Sequence, residues 1–431
     1  VSSTRKITVN ALTRVEGEGA LHIRIRDELI ESVRLAIYEP PRFFESFLRG
    51  RAIEEVPDLT ARICGICPVA YQMTSVHAIE NSLAIAIDPE IRRLRRLLVC
   101  GEWIESHVLH IFLLNAPDFF GCHSGIELAE RFPDQINTGL RIKKIGNRLL
   151  EVLGGRAVHP VNVRVGGFHH LPSKDELKTL LPDLRWSLEA AIESTRWIAG
   201  FDFPDFDLDC ELISLQNNDE YPFNEGVIAS TCCPSINVNE YEQHFGENQV
   251  EYSTALQSSR RDSSAPYLLG PLARVALNSR QLSPSTKHLI ETACPPLPLT
   301  NRFQAIIARS LEVVHALEEA IDVIENYSPP YHAFTNYRPH ESAGCAATEA
   351  PRGMIYHHYG IDSRGMVASA NIVPPTSQNQ LQIESDLREF LPQWLNDSDE
   401  TIASEAEKLI RTYDPCISCS THFLKLTIDR S

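Results

Sequence analysis

Apolar and polar residues alternate from about residue 6 to 38, as in Ile7-Thr8-Val9 and Leu21-His22-Ile23-Arg24-Ile25-Arg26. This period of two predicts a small antiparallel β unit. Between its strands lies Thr13-Arg14-Val15-Glu16-Gly17-Glu18-Gly19, whose two glycines allow a tight, exposed turn; taken alone it reads as a charged hairpin turn, and the same turn is able to aim Glu16 inward. Pro40 and Pro41 open a helix through Arg51, since proline costs nothing in a first turn. Glu45 shares the face of Phe44 and Leu48 in that helix. The period then changes to helical from Tyr71 to Ala86, and past Asp88-Pro89 a long helix runs from about Ile91 to Leu114. Its apolar residues go nearly all the way round, which predicts burial inside a bundle. An amphipathic helix follows over Asp175 to Gly200. Phe201 to about Asn278 is irregular and is expected at the periphery, whereas Asn301 to Tyr327 is a second long helix with Ile306, Leu311, Val314, Leu317, Ile321 and Ile324 on its buried side. Strands run on from Met354 to about Ile372, and a last helix covers about Glu400 to Tyr413. The fold expected is mainly α with some β (α+β): a long central helical bundle with small peripheral antiparallel β units.

Composition changes little in that picture. The chain has 431 residues, 43% hydrophobic and 23% charged, an ordinary globular balance with length for a large core. One domain over 1–431 is expected, with a β unit and first helix in 1–60, a helical core in 61–200, the irregular region in 201–300, and helical core plus a β unit in 301–431. The net charge of −17 argues against a nucleic-acid surface, which needs clustered Lys and Arg. Eleven cysteines, an odd number, do not resemble a secreted disulfide framework and imply reduced thiols in the cytoplasm. No membrane span is expected, and the polar start Val1-Ser2-Ser3-Thr4-Arg5-Lys6-Ile7 lacks the apolar core of an export signal.

The chemistry is concentrated in two Cys-x-x-Cys pairs at opposite ends of the chain, Cys64-Gly65-Ile66-Cys67 and Cys416-Ile417-Ser418-Cys419. Together they offer four soft ligands suited to zinc, iron–sulfur or nickel. A zinc ribbon places its second pair about 15–20 residues after the first. Pairs this distant suit an active site better than a local staple, though the cysteines alone leave structural zinc and iron–sulfur open. His107 and His110 sit on one helix face with Asp118 beyond, but no carboxylate motif accompanies them, which favours a core role. Arg352 stands between Pro351 and Gly353 at the entry to an apolar strand, a costly place for a guanidinium unless an anion meets it. The glycine-rich stretch Gly154 to Gly167 lacks the strand–turn–helix context of a phosphate loop.

Taken in order, Arg14-Val15-Glu16-Gly17, Arg42-Phe43-Phe44-Glu45, Arg62-x-Cys64-Gly65-x-Cys67, Ala350-Pro351-Arg352-Gly353 and Asp414-Pro415-Cys416-x-x-Cys419-x-x-His422 resemble the markers of the large, catalytic subunit of [NiFe] hydrogenases over essentially the whole length. The variants around Pro40 and Pro68 look most like the cytoplasmic, bidirectional, NAD(P)-linked branch. The resemblance implies reversible H2 oxidation and proton reduction. It implies that Cys64, Cys67, Cys416 and Cys419 bind nickel, with Cys67 and Cys419 also bridging an iron that carries carbon monoxide and cyanide. Around those diatomic ligands it places Arg352, Thr376 and Pro351. It gives Cys416 or Arg352 the role of proton acceptor and Glu16 that of relay, with Asp118 and Asp414 orienting Arg352. Glu45, His422 and the carbonyl near Ile372 match the ligands of a magnesium or similar ion.

The implied partners are a small Fe–S subunit, diaphorase subunits with Fe–S clusters, flavin and NAD(P), and a maturation chaperone and endopeptidase. The same site could serve an H2-sensing regulatory protein, while a subunit like that at the quinone site of respiratory complex I generally lacks the four cysteines. Two departures stand out. Tyr71 takes a position where the family often has a histidine near a bridging sulfur, and residues 423–431 extend past the usual processing point as a maturation tail or as a retained one.

Overall fold

The computed structural model describes residues 4–40, 42–207 and 209–421. His422 and the 423–431 extension lie outside the described residues. Four helices, Pro89–Leu109, Pro133–Gly154, Leu181–Ala199 and Ala305–Glu325, pack together as the central bundle. Their crossing depends on glycine: a Cβ at Gly146 would come within 2.8 Å of the Gly101 carbonyl and of the Glu105 amide. Any larger residue there would push the Pro89–Leu109 and Pro133–Gly154 helices apart.

Small antiparallel sheets flank the bundle. Strands Thr4–Val9, Gly19–Arg26 and Leu29–Ile37 pair in sequence order, with Thr4 opposite Arg26 and Gly19 opposite Ile37. Ile7, Leu21, Ile23, Val33, Leu35 and Ile37 fill the inner face, which is what the alternation predicts. Near the other end, Ser342–Ala350, Gly353–Ile361 and Val367–Val373 form a second three-stranded sheet with Glu349 opposite Met354. The Pro375–Phe390 helix leaves this sheet, and the Asp399–Thr412 helix leads to the second cysteine pair.

Several elements differ from expectation. The helix expected from Pro40 to Arg51 is confined to Phe44–Leu48, because Phe43 is left-handed at φ 54° and Arg49 is extended. The long apolar helix continues past Leu109 as a π-helical turn, His110–Asn115. By length and composition, Pro89–Phe119 would be apolar enough to cross a membrane, contrary to the expectation of no such run, yet its side chains are packed inside the bundle. The expected Asp175–Gly200 helix is two, Lys174–Lys178 and Leu181–Ala199. Helices Pro133–Gly154, Pro284–Ala293 and Pro375–Phe390 are among those with no forecast, and Pro271–Asn278 is a helix inside the stretch expected to be irregular.

The Phe201–Asn278 region is not wholly peripheral. Its hairpins, Ile213–Gln216 with Val227–Ser230 and Phe245–Gln249 with Leu256–Arg260, close a second small core against Met354, Tyr356 and Val373. Arg274, from its last helix, is fully buried.

Candidate metal centre

Each cysteine pair sits where a loop turns into a helix. Cys64 is extended at the end of the Ala61–Ile63 turn, and Cys67 is the N-cap of the Pro68–Ser82 helix with proline at its first position. The amides of Ile66 and Cys67 both donate to Cys64 Sγ at 3.3 Å, so the first pair folds back on its own sulfur. Cys416 precedes the one-turn helix Ile417–Ser420 that carries Cys419. The two pairs meet face to face. Cys64 Sγ lies 3.5 Å from Cys416 Sγ, Cys67 Sγ lies 3.9 Å from Cys419 Sγ, and the Cys416 and Cys419 sulfurs are 2.7 Å apart. All four thiols are free, buried and within 4.8 Å of one another. A separation of 352 residues in sequence thus collapses to one four-sulfur cage.

The N-terminal β unit closes one side of this cage. Glu16 and Cys416 form a parallel backbone bridge in which the Ile417 amide donates to the Glu16 carbonyl at 2.9 Å. That bridge delivers the Glu16 carboxylate, whose Oε2 accepts from Cys416 Sγ at 3.0 Å and from the Ser418 amide at 3.1 Å. On another side the Cys416 amide donates to Thr376 Oγ1 at 3.0 Å, at the start of the Pro375–Phe390 helix.

Arg352 closes the cage from the second sheet. It is 2% exposed, and its Nε and Nη2 donate to the carbonyl and Oδ1 of Asp414 at 2.7 and 3.0 Å. Asp414 is left-handed at φ 55°, a strained setting that puts carbonyl and carboxylate on the same guanidinium. Arg274, which sequence reading did not single out, holds the loop from below. Its Nη1 and Nη2 donate to the carbonyls of Ala350 and Pro351 at 2.9 Å each, while Glu312 and Glu349 neutralise it. The signal was available only as a buried arginine, which no periodicity reveals.

Other residues singled out from sequence fall elsewhere. Asp118 pairs with Arg14 and, at 2.8 Å, with Arg411, and not with Arg352. His107 lies 3.0 Å from Glu312, and His110 Nε2 donates to the Arg411 carbonyl at 2.7 Å, so neither histidine joins the cage. Burial first of all keeps His107 neutral, pushing it down to about 4. Glu45 is buried and accepts from the Ile372 amide at 2.8 Å, so Ile372 meets it through N–H and not through its carbonyl. Burial pushes the Glu45 carboxyl up to about 7. Glu247, unremarked in sequence, is pushed up to about 8 by burial and then by the charge of Glu45. Tyr71 is fully buried with its hydroxyl unpartnered, and its pKa is raised by burial and then by the thiolate charges.

The donor set fits a divalent soft metal. Hydrogen bonds from Cys416, Cys419 and Cys67 pull Cys64 well below the ordinary thiol value, while burial pushes Cys416 well above it. A dry pocket therefore tolerates one thiolate and resists the rest until a cation arrives. One Nη of Arg352, Oδ2 of Asp414 and the Tyr71 hydroxyl are buried without partners around the sulfurs, as donors and acceptors for a bound group would be.

Comparisons with known proteins agree with this arrangement. Residues 42–131 and 231–422 match the family model described as nickel-dependent hydrogenase. The chain is 32% identical to sulfhydrogenase 1 subunit alpha of Pyrococcus furiosus, covering 97% of this chain and 98% of that one. With sulfhydrogenase 2 subunit alpha of the same organism identity is 34%, over 97% and 100%. The NAD-reducing hydrogenase HoxS subunit beta of Cupriavidus necator is 25% identical over 98% and 95%. Among solved structures, an NAD+-reducing [NiFe]-hydrogenase in its H2-reduced state superposes with a TM-score of 0.88 at 22% identity, over 97% of this chain and 99% of that one. With its four-thiol cage, its fold and relatives that match it end to end, this chain belongs to the nickel-dependent hydrogenase family, as a large subunit.

Proposed function

We propose that this chain is the catalytic subunit of a cytoplasmic [NiFe] hydrogenase that oxidises H2 and reduces protons reversibly. The observation that carries the reading is the juxtaposition of a carboxylate, Glu16, with one sulfur of a buried four-thiol cage, Cys416, at 3.0 Å. Heterolytic cleavage of H2 needs a base beside the metal and an exit for the proton. Cys64, Cys67, Cys416 and Cys419 would hold nickel, with Cys67 and Cys419 shared with iron. The bound metals would supply the electrophilic centre that polarises H2 and takes up its electrons. Cys416, the sulfur facing Glu16, suits a terminal ligand that stays free to carry a proton. Glu16, half-buried between the cage and the surface turn at Gly17-Glu18, takes that proton outward.

Arg352 sits beside the sulfurs as a fixed cation, held by Asp414. With the Thr376 hydroxyl it would supply the donors to carbon monoxide and cyanide on the iron, and Pro351 would line the same pocket as an apolar wall. Glu45, with His422 as a further ligand, would hold a magnesium or similar ion, and Glu247, whose carboxyl is raised by burial and by the charge of Glu45, is a further carboxylate that suits the cation. Among the described residues no second four-cysteine group occurs, so electrons leave to a small Fe–S subunit. The NAD-reducing relative supports NAD(P) as the acceptor, reached through flavin-bearing diaphorase subunits. A chaperone and an endopeptidase would serve maturation.

The test is infrared spectroscopy of the purified complex, in the region of metal-bound carbonyl and cyanide stretches, with elemental analysis on the same sample. Bands with one nickel per chain are expected. Zinc without bands would overturn the reading.

A further inference from the structure

The Pro68–Ser82 helix, which begins at Cys67, has no side-chain cap of its own. Pro68 lacks an N–H, and the next two amides are first-turn donors that a helix cannot satisfy internally. One carboxyl from another helix takes both: Val69 donates to Glu102 Oε2 at 2.6 Å and Ala70 to Glu102 Oε1 at 3.1 Å. Glu102 is fully buried, and no cation pairs with it among the described residues. Its charged surroundings include Glu105, one turn along, and Cys64, both of its own sign. A buried carboxyl with no cation beside it costs free energy that an apolar side chain would not. Packing therefore gives no reason for it, whereas the two amides do. The next residue, Trp103, donates through Nε1 to the Glu349 carbonyl at 3.2 Å, three residues before Arg352. One turn of the Pro89–Leu109 helix thus grips both the start of the first cysteine pair's helix and the strand that delivers Arg352.

We infer that Glu102 is a positioning residue for the metal cage: by clamping the Val69 and Ala70 amides it fixes Cys67 and, through the Cys67 amide on Cys64 Sγ, the spacing of the whole first pair. This rests on the hydrogenase reading only in naming the metal as nickel. Glutamine at 102 offers one acceptor oxygen and turns an NH2 toward the other amide, so Glu102→Gln breaks half the clamp at constant volume. Glu102→Asp keeps both acceptors but withdraws them by one methylene.

The experiment compares the wild-type complex with both variants by two readouts. One is hydrogen exchange at Val69 and Ala70. The other is the nickel–sulfur shell in X-ray absorption. Glu102→Gln is expected to speed exchange at those two amides about tenfold, the loss of one hydrogen bond, while the Ala305–Glu325 helix stays as protected as in wild type. Its nickel–sulfur shell should broaden, kcat should fall at unchanged KM, and Glu102→Asp should recover part of both. Wild-type exchange and an unchanged sulfur shell in Glu102→Gln would overturn the inference, as would a uniform rise of exchange throughout the bundle, which marks a merely structural role. A wild-type complex without nickel–sulfur scattering would instead sink the hydrogenase reading, and exchange at Val69 and Ala70 would still judge the clamp.

Discussion

Glu16 Oε2 and Cys416 Sγ lie 3.0 Å apart although they stand 400 residues apart in the chain, and the contact is built by the backbone bridge between the same two residues. A carboxylate delivered by main-chain pairing has little freedom to leave the sulfur. Glu16→Gln removes a proton acceptor but keeps the bridge and the Ser418 contact. Turnover is expected to fall on the order of 10²–10⁴-fold with nickel content unchanged. Glu16→Asp should recover part of the rate. H2 uptake and metal analysis on the same preparation check this, and near-wild-type uptake in Glu16→Gln would remove Glu16 from the proton path.

Arg352 and Asp414 form a buried pair of about 2% exposure each, with geometry that only a planar fork satisfies. Arg352→Lys keeps the charge but cannot bind carbonyl and carboxylate of Asp414 together. Activity should drop at least tenfold with the metal retained. Asp414→Ala leaves the guanidinium buried and unpaired, and is expected to cost about 3–5 kcal/mol of stability. Thermal unfolding distinguishes the two effects.

Asp118 binds Arg14 and Arg411 in a nearly buried network away from Arg352. Asp118→Asn should therefore lower the unfolding temperature, by the loss of charge on two arginines, while kcat per bound nickel stays within about twofold of wild type. This is a structural outcome for a residue that the sequence resemblance had orienting Arg352. A large fall in kcat at unchanged stability would restore the catalytic assignment.

Glu45 carries a pH signature. Its carboxyl, at 4.5 when unperturbed, is pushed up to about 7 by burial, so between those values the folded chain binds the extra proton. Stability from this group is complete below pH 4.5 and is lost as pH rises through about 7. Melting temperatures in chelator should fall across that window. Magnesium should offset the fall above neutrality and do little at pH 5, and Glu45→Gln should lessen the slope, leaving the part that Glu247 contributes, and abolish the magnesium effect. A slope unchanged by Glu45→Gln would assign it to another group.

Much of this protein is written in local pattern. The alternation over residues 6 to 38 yields the first sheet because a period of two leaves one face apolar wherever the strands pair. The long helices follow from their apolar spacing. Local pattern was silent on the Pro133–Gly154 helix, and it set the Pro271–Asn278 helix at the rim when Arg274 lies in the core. An arginine reads as polar in any sequence pattern, and only two carboxylates brought from distant elements, Glu312 and Glu349, make its burial affordable.

By itself the sequence determined the donor chemistry of this protein: two cysteine pairs, a carboxylate on a glycine turn and an arginine beside a strand. Residue type and short spacing suffice for that, since they set which atoms can bind a metal or carry a proton. The tertiary structure alone decided which of those atoms meet. It brought Glu16 to Cys416 by a backbone bridge, joined Asp414 to Arg352 while sending Asp118 to other arginines, and spent a buried carboxyl, Glu102, on two amides beside Cys67. Such partnerships join residues between 32 and 400 positions apart in the chain, and no local period encodes them.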